Sequence, residues 1–347
     1  MTRTQPHSVS SVPARPVKPL VSVSLLLAVL LAWLLLHGIG LNDFRDFKAI
    51  TSDLSRVQVE PKDQFLYSSP LMLWAGALLR PFFGAALSYV LLCATGLGLL
   101  AFTLWRHLRE QFDGEAGLAL VFLMWSPLLI VLLHWVGKSD PYLLVFYLLL
   151  RSSRSSLRTS LCCFLMLLCH REMGTLLVVF ECLRQPALRW RALPGLLLGH
   201  AAIYGYHHLV MAAPPMGRAD FLGADALLIP RTNAHHVLGF VGLSLAWYWA
   251  FVMRFSRLKP IEGLILLACL GFSLLTLDYT RVFTLLAFPV LLSTLERGFP
   301  LASEWAHRSG KLMAMLLVLM SAQMVNGELA VSKIPENIAQ AGIGKAH

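Results

Sequence analysis

Residues 20–37 read LVSVSLLLAVLLAWLLLH, eighteen positions without a formally charged side chain. Such a run is long enough to enter a hydrocarbon core roughly 30 Å thick. Gly38-Ile39-Gly40 is a poor match to a small-x-small cleavage site, so the run reads as a retained first span at 20–41, not as a cleaved signal peptide. Apolar segments recur at 82–104, 116–135, 140–150, 159–169, 173–183, 192–212, 235–253, 260–277, 282–295 and 312–325. The pattern predicts an all-α, polytopic integral membrane protein of about eleven transmembrane helices. It divides the chain into a tail at 1–19, one transmembrane domain at 20–325 and a second tail at 326–347. The segments at 140–150, 159–169 and 173–183 have eleven residues each, below the roughly twenty that a full span needs. Either flanking residues extend them, or they are broken or re-entrant helices lining a cavity, where irregular backbone is tolerated.

Composition agrees with this reading. Of the 347 residues 57% are hydrophobic and only 14% charged, against about a quarter charged in a soluble domain. The net charge of +10 would suit nucleic acid, but its placement excludes that partner. Alternate threading puts residues 1–19, 105–115, 151–158, 184–191, 254–259 and 296–311 on one side. With Glu181 and Glu262 at the span ends, that side holds seventeen Lys and Arg against seven acids. The opposite loops, of which 42–69 and 213–234 are the longest, hold with the C-terminal tail eleven against twelve, with Arg80 assigned to neither side. The basic excess therefore lies on one face, the positive-inside signature, and the N-terminus is cytoplasmic.

The same threading brings the polar clusters that interrupt the spans to the non-cytoplasmic face, while the inner loops carry little chemistry beyond topology. The outer clusters are Asn42-Asp43-Phe44-Arg45-Asp46-Phe47, His134 to Asp140, His170-Arg171-Glu172 and Asp278-Tyr279-Thr280-Arg281. Ionisable groups at membrane depth are costly and are usually functional or paired. Asp43 and Asp46 are one helical turn apart, and a carboxylate just outside a span can act as a general base toward a hydroxyl. Both also suit a solvated loop. Arg171 could clamp a phosphate beside His170, with Glu172 orienting it, or Arg171 and Glu172 could simply satisfy each other across a hairpin. Lys138 and Asp140 flank a Gly-Lys-Ser-Asp-Pro turn that lacks the glycine spacing of a P-loop and also reads as a plain helix start. Asp278 and Arg281 suit a phosphate site or a one-turn ion pair equally.

Other candidates carry less. The six cysteines lie in or beside apolar segments without CxxC spacing and behave as small hydrophobes. His207-His208 and His235-His236 are adjacent pairs whose side chains diverge, which makes poor chelators, so no metal site is expected. Trp247, Tyr248 and Trp249 read as interfacial anchors.

Four sequence elements together resemble the GT-C superfamily of multi-spanning glycosyltransferases, most closely its bacterial polyprenyl-phosphate-mannose-type branch. They are NDFRDF in the first outer loop, FLYSSP at 65–70, GKSDPYLLVFYLLLRSSR from Gly137, and DYTRVFTLLAFPVLL from Asp278. Two departures are that Ser69 stands where the family often has a first of two prolines, and that Asp43 and Asp46 do not form an Asp-x-Asp pair. The resemblance implies a GT-C-like fold in a bacterial inner membrane and a polyprenyl-phosphate sugar as donor. It also implies a glycan or glycolipid acceptor and Asp43 as the catalytic acid/base. Tyr67, Lys138, Asp140, Arg171, Glu172, Asp278 and Arg281 become its pocket neighbours, and a divalent metal is optional. Two other classes fit the same pattern: a transporter or flippase of a lipid-linked or anionic solute, and an exopolysaccharide polymerase.

Overall fold

The structure, a computed structural model of the chain, describes residues 43–124, 128–216, 234, 256–276, 278–308, 324–325 and 328–329. The expected spans at 20–41 and 235–253, most of 312–325 and of the loop 213–234, and nearly all of both tails lie outside these residues. So do His235, His236 and the Trp247-Tyr248-Trp249 run.

The described regular structure is helical, apart from a ladder pairing Met324–Val325 with Glu328–Leu329. Helix α1 (Phe44–Ile50) is followed by a 3-10 segment (Pro61–Ser68) and by α2 (Pro70–Phe112). Then come α3 (Ala116–Met124), α4 (Leu128–His134), α5 (Asp140–Arg151), α6 (Ser156–Cys169) and α7 (Arg171–Arg184). Helix α8 (Arg189–Gly205) passes into a π turn at Tyr206–Val210, and α9 (Pro260–Leu274) and α10 (Tyr279–Arg308) complete the set. Two apolar stretches, Pro70–Leu120 and Tyr279–Glu304, are long enough to cross a membrane.

Helix α2 has 43 residues, which if straight would reach roughly 65 Å, twice a hydrocarbon core. It bends at Gly84, whose φ of 73° and ψ of 169° suit only a residue without a Cβ. Before the bend, Gly76 lies against the Phe47 ring and Arg80 donates to the Lys48 carbonyl; after it, Tyr89 stacks edge-on against Phe44 and Phe47. Both arms therefore touch the same short helix α1. The sequence-predicted span at 82–104 corresponds to the second arm, and Pro70–Phe83 forms a separate arm over the site.

Helices α5, α6 and α7 keep lengths of 12, 14 and 14 residues, so flanking residues do not extend them to full spans. Helix α5 is buried along most of its length, and α6 and α7 pack against it. Helix α8 crosses α6 so closely that a Cβ on Gly195 would sit 2.0 Å from the Ser160 carbonyl oxygen. Small residues at such crossings let helix backbones approach without side chains between them. On the outside the helices are apolar: Phe82, Trp190 and Leu209 are each at least 80% exposed, with Leu157, Leu197, Leu198, Leu264 and Leu267 exposed beside them.

Side-chain bonds tie helix ends into two groups. Asp140 at the start of α5, His170 between α6 and α7, and Arg281 at the start of α10 belong to one end. At the other, Glu296 of α10 pairs with His107 of α2 at 2.8 Å and with Arg151 of α5. Fully buried Glu181 of α7 accepts from the Tyr147 hydroxyl and from Arg184, each at 2.7 Å. Arg184 also donates to Ser293, and Glu262 of α9 accepts from Arg297 at 2.6 and 2.8 Å. Charge-assisted bonds thus join five helices at the Arg-rich end, where the sequence predicted little chemistry beyond topology. The same bonds explain a second difference: residues 296–308, expected as loop, continue α10 through Pro300. Glu296 and Arg297 hold that turn against neighbouring helices, which outweighs the hydrogen bond a proline removes.

Candidate functional site

Asp43 opens α1 with φ at 60° and ψ at 11°, the left-handed region that Asp and Asn enter more readily than most residues. An aspartate in this position ordinarily caps its helix through its side chain. Here it makes no such bond, and its Oδ2 instead meets the Lys138 ammonium. Buried Phe47 and Ile50 anchor α1 behind it.

Lys138 arrives from the turn Val136–Gly137–Lys138 after α4, where the Tyr89 hydroxyl donates to the Val136 carbonyl at 3.3 Å. Its side chain is 7% exposed, and its Nζ lies 5.1 Å from the centre of the Phe65 ring. Ser139 donates to the Cys169 carbonyl and so ties the start of α5 to the end of α6. Asp140 and Arg281 form a two-pronged pair, Nε to Oδ2 at 2.5 Å and Nη2 to Oδ1 at 2.7 Å, with side chains only 1% and 2% exposed. Asp278 approaches Arg281 Nη1 at 3.4 Å from the more open side.

Asp43, Lys138, Ser139, His170 and Arg281 line one cavity that is partly open to its surroundings. Phe47, Phe65, Leu66, Met72 and Leu73 give it an apolar wall. Of the residues singled out from sequence, the structure thus brings Asp43, Lys138, His170 and Arg281 to a common surface, with Asp140 supporting Arg281 from behind.

The others lie elsewhere. Arg171 and Glu172 bond each other at 2.7 and 3.1 Å and do not line the cavity, the arrangement of the self-satisfied pair. His170 caps α7, its Nδ1 accepting from the Met173 N–H at 3.4 Å and facing Glu172 at the same distance. The Tyr67 hydroxyl points away into the loop before it, donating to the Arg56 carbonyl at 3.1 Å and accepting from the Gln58 N–H at 3.0 Å. Burial raises that phenol above its ordinary range, which suits a neutral structural bridge. Asp46 does not line the cavity; burial, then the neighbouring Asp63 and Asp43 charges, raise its carboxyl above the usual range. Asp278 stands at the edge, bound to Arg281.

Sequence reasoning missed the apolar wall and Ser139. Phe47, Phe65 and Leu66 stood within recognised elements, but Met72 and Leu73 differ in no visible way from other apolar positions. Among the described residues no group of three His, Cys, Asp or Glu side chains is arranged to hold a metal ion. His207 binds the Tyr67 carbonyl at 3.1 Å, and all six cysteines are free thiols. No family model, curated protein or solved structure matches the chain.

Proposed function

We propose that the chain is a multi-pass membrane glycosyltransferase of about eleven spans. It transfers a sugar, mannose in the branch it resembles, from a polyprenyl-phosphate donor to a glycan or glycolipid hydroxyl outside the cytoplasm of a bacterial cell. The observation that carries this reading is a carboxylate and an ammonium, Asp43 and Lys138, facing one half-apolar cavity at the end of the bundle where the acidic clusters meet. A membrane setting is supported by the exposed leucines and aromatics of α2, α6, α8 and α9, a surface far more apolar than water tolerates. Depth supports the donor class. Helices α6 and α7 rise only roughly 21 Å, so if the Arg-rich end lies at one membrane surface, His170 lies below the other, within reach of a lipid-tethered headgroup.

In the reaction Asp43 takes the proton of the acceptor hydroxyl as its oxygen bonds the anomeric carbon. The bond from that carbon to the phosphate oxygen breaks, and its electron pair leaves with polyprenyl phosphate, whose added charge a cation must meet. Lys138 is the cavity cation best placed to do so, since Arg281 is committed to Asp140. The Asp140 pair at one end and the Glu181, Glu262 and Glu296 pairs at the other argue against a transporter, which needs a path that opens at each face in turn.

Purified protein in nanodiscs, given polyprenyl-phosphate mannose and a glycolipid acceptor, is expected to release polyprenyl phosphate only when the acceptor is present. Movement of the lipid-linked sugar across proteoliposomes without release would instead establish the transporter. Topology gives an independent check: a reporter active only outside the cytoplasm should be silent when fused after residue 150 or 255 and active after residue 220. The reverse pattern would put the site on the cytoplasmic face and remove the case for this donor.

A further inference from the structure

We propose that the Asp43–Lys138 ion pair is a lock on the base, opened when the phosphate of the donor takes Lys138 from Asp43. The inference rests on the glycosyl-transfer reading and adds an order of events to it. As the site stands, the Lys138 ammonium is seated on Asp43 Oδ2, and a hydroxyl proton bound for that oxygen must displace it. Asp43 also forgoes its capping bond to α1, and among the described residues its carboxylate is paired with Lys138.

Three features make Lys138 the group that moves. Its head is a point charge with three donors, able to trade one anion for another without a fixed geometry. The Phe65 ring beside Nζ keeps favourable company for the cation during the exchange. Arg281 cannot do the same, because leaving Asp140 would strand a carboxylate that is 1% exposed. The Asp43 side chain is 21% exposed, so releasing it strands a carboxylate less than releasing Asp140 would. Exchange therefore swaps one anion for another at Lys138 and frees Oδ2 at the moment the donor is in place. A bound acceptor alone meets an occupied base, and the order is donor first.

The test needs no turnover. Polyprenyl monophosphate is titrated into the purified full-length protein in nanodiscs. Asp43→Asn removes the competing charge with little change of shape and is expected to bind the lipid about tenfold more tightly than wild type. The tightening should vanish in Asp43→Asn combined with Lys138→Gln, because it acts through the ammonium. Asp43→Gly, which suits the same backbone angle, serves if the asparagine variant does not fold. Unchanged or weaker binding by the folded Asp43 variant overturns the lock and leaves the glycosyl-transfer reading intact. Failure of wild type and variant alike to bind the lipid overturns both. Inorganic phosphate is run in parallel; if it binds as tightly as the lipid, the lock answers to a soluble anion and the donor assignment falls.

Discussion

Asp43→Asn is expected to lower sugar transfer by roughly 10²- to 10⁴-fold while the protein remains folded. Asparagine is the informative change at this position. The backbone sits at φ 60°, which asparagine adopts as readily as aspartate, whereas alanine would add strain of its own. The amide keeps the shape of the carboxylate and loses its ability to take a proton. The loss should fall on the chemical step: single-turnover release of polyprenyl phosphate slows, while the amount of donor bound at saturation is kept. Asp46→Asn is the matched control. That carboxylate lies outside the cavity lining, so its removal should change turnover by only a few-fold. Near-normal turnover by a folded Asp43→Asn protein would exclude the base assignment and turn attention to His170, which shares the cavity.

Much of this arrangement was legible in the pattern of apolar and polar positions, and the limits of that legibility have physical causes. Alternate threading brought Asp43, the 138–140 turn, His170 and Arg281 to one end because helix ends must alternate whatever the side chains do. The described helices place these residues together. Pairing was not legible. The Asp278–Arg281 spacing suggested a local ion pair, yet the stronger partner of Arg281 is Asp140, 141 positions away. A helix-spacing argument sees only neighbours three or four apart. The pairs of Glu262 with Arg297 and of Glu296 with Arg151, 35 and 145 positions apart, were hidden for the same reason and were counted as charges at a surface. The bend at Gly84 went unread because glycine occurs in apolar helices without bending them, and it shows in the Gly84 backbone angles and in the contacts of both arms with α1. Helix α10 passed beyond its expected end because hydropathy falls at Glu296 and Arg297, which tertiary ion pairs nonetheless keep inside the helix.

The Asp140–Arg281 pair carries the second large effect, on stability. Asp140→Ala is expected to destabilise the folded protein by about 3–5 kcal/mol, because it leaves the Arg281 charge almost fully buried with only the longer Asp278 contact. Arg281→Met should be comparably severe, since it strands Asp140, which is 1% exposed. Combining Asp140→Leu with Arg281→Met removes both charges and refills the volume with apolar groups. The double variant is therefore expected to recover most of the loss, because an absent pair costs far less than half of one. Unfolding by denaturing detergent, followed in the same lipid environment for all four proteins, measures the recovery. Single variants as stable as wild type would show that the pair does not bear on the fold. The double variant also separates two duties of Arg281. If its guanidinium only joins α5 to α10, the restored protein should keep transfer activity. If it also shapes the donor cavity that it lines, stability should return while turnover stays low, and the second outcome is the one expected from its place beside Lys138 and His170.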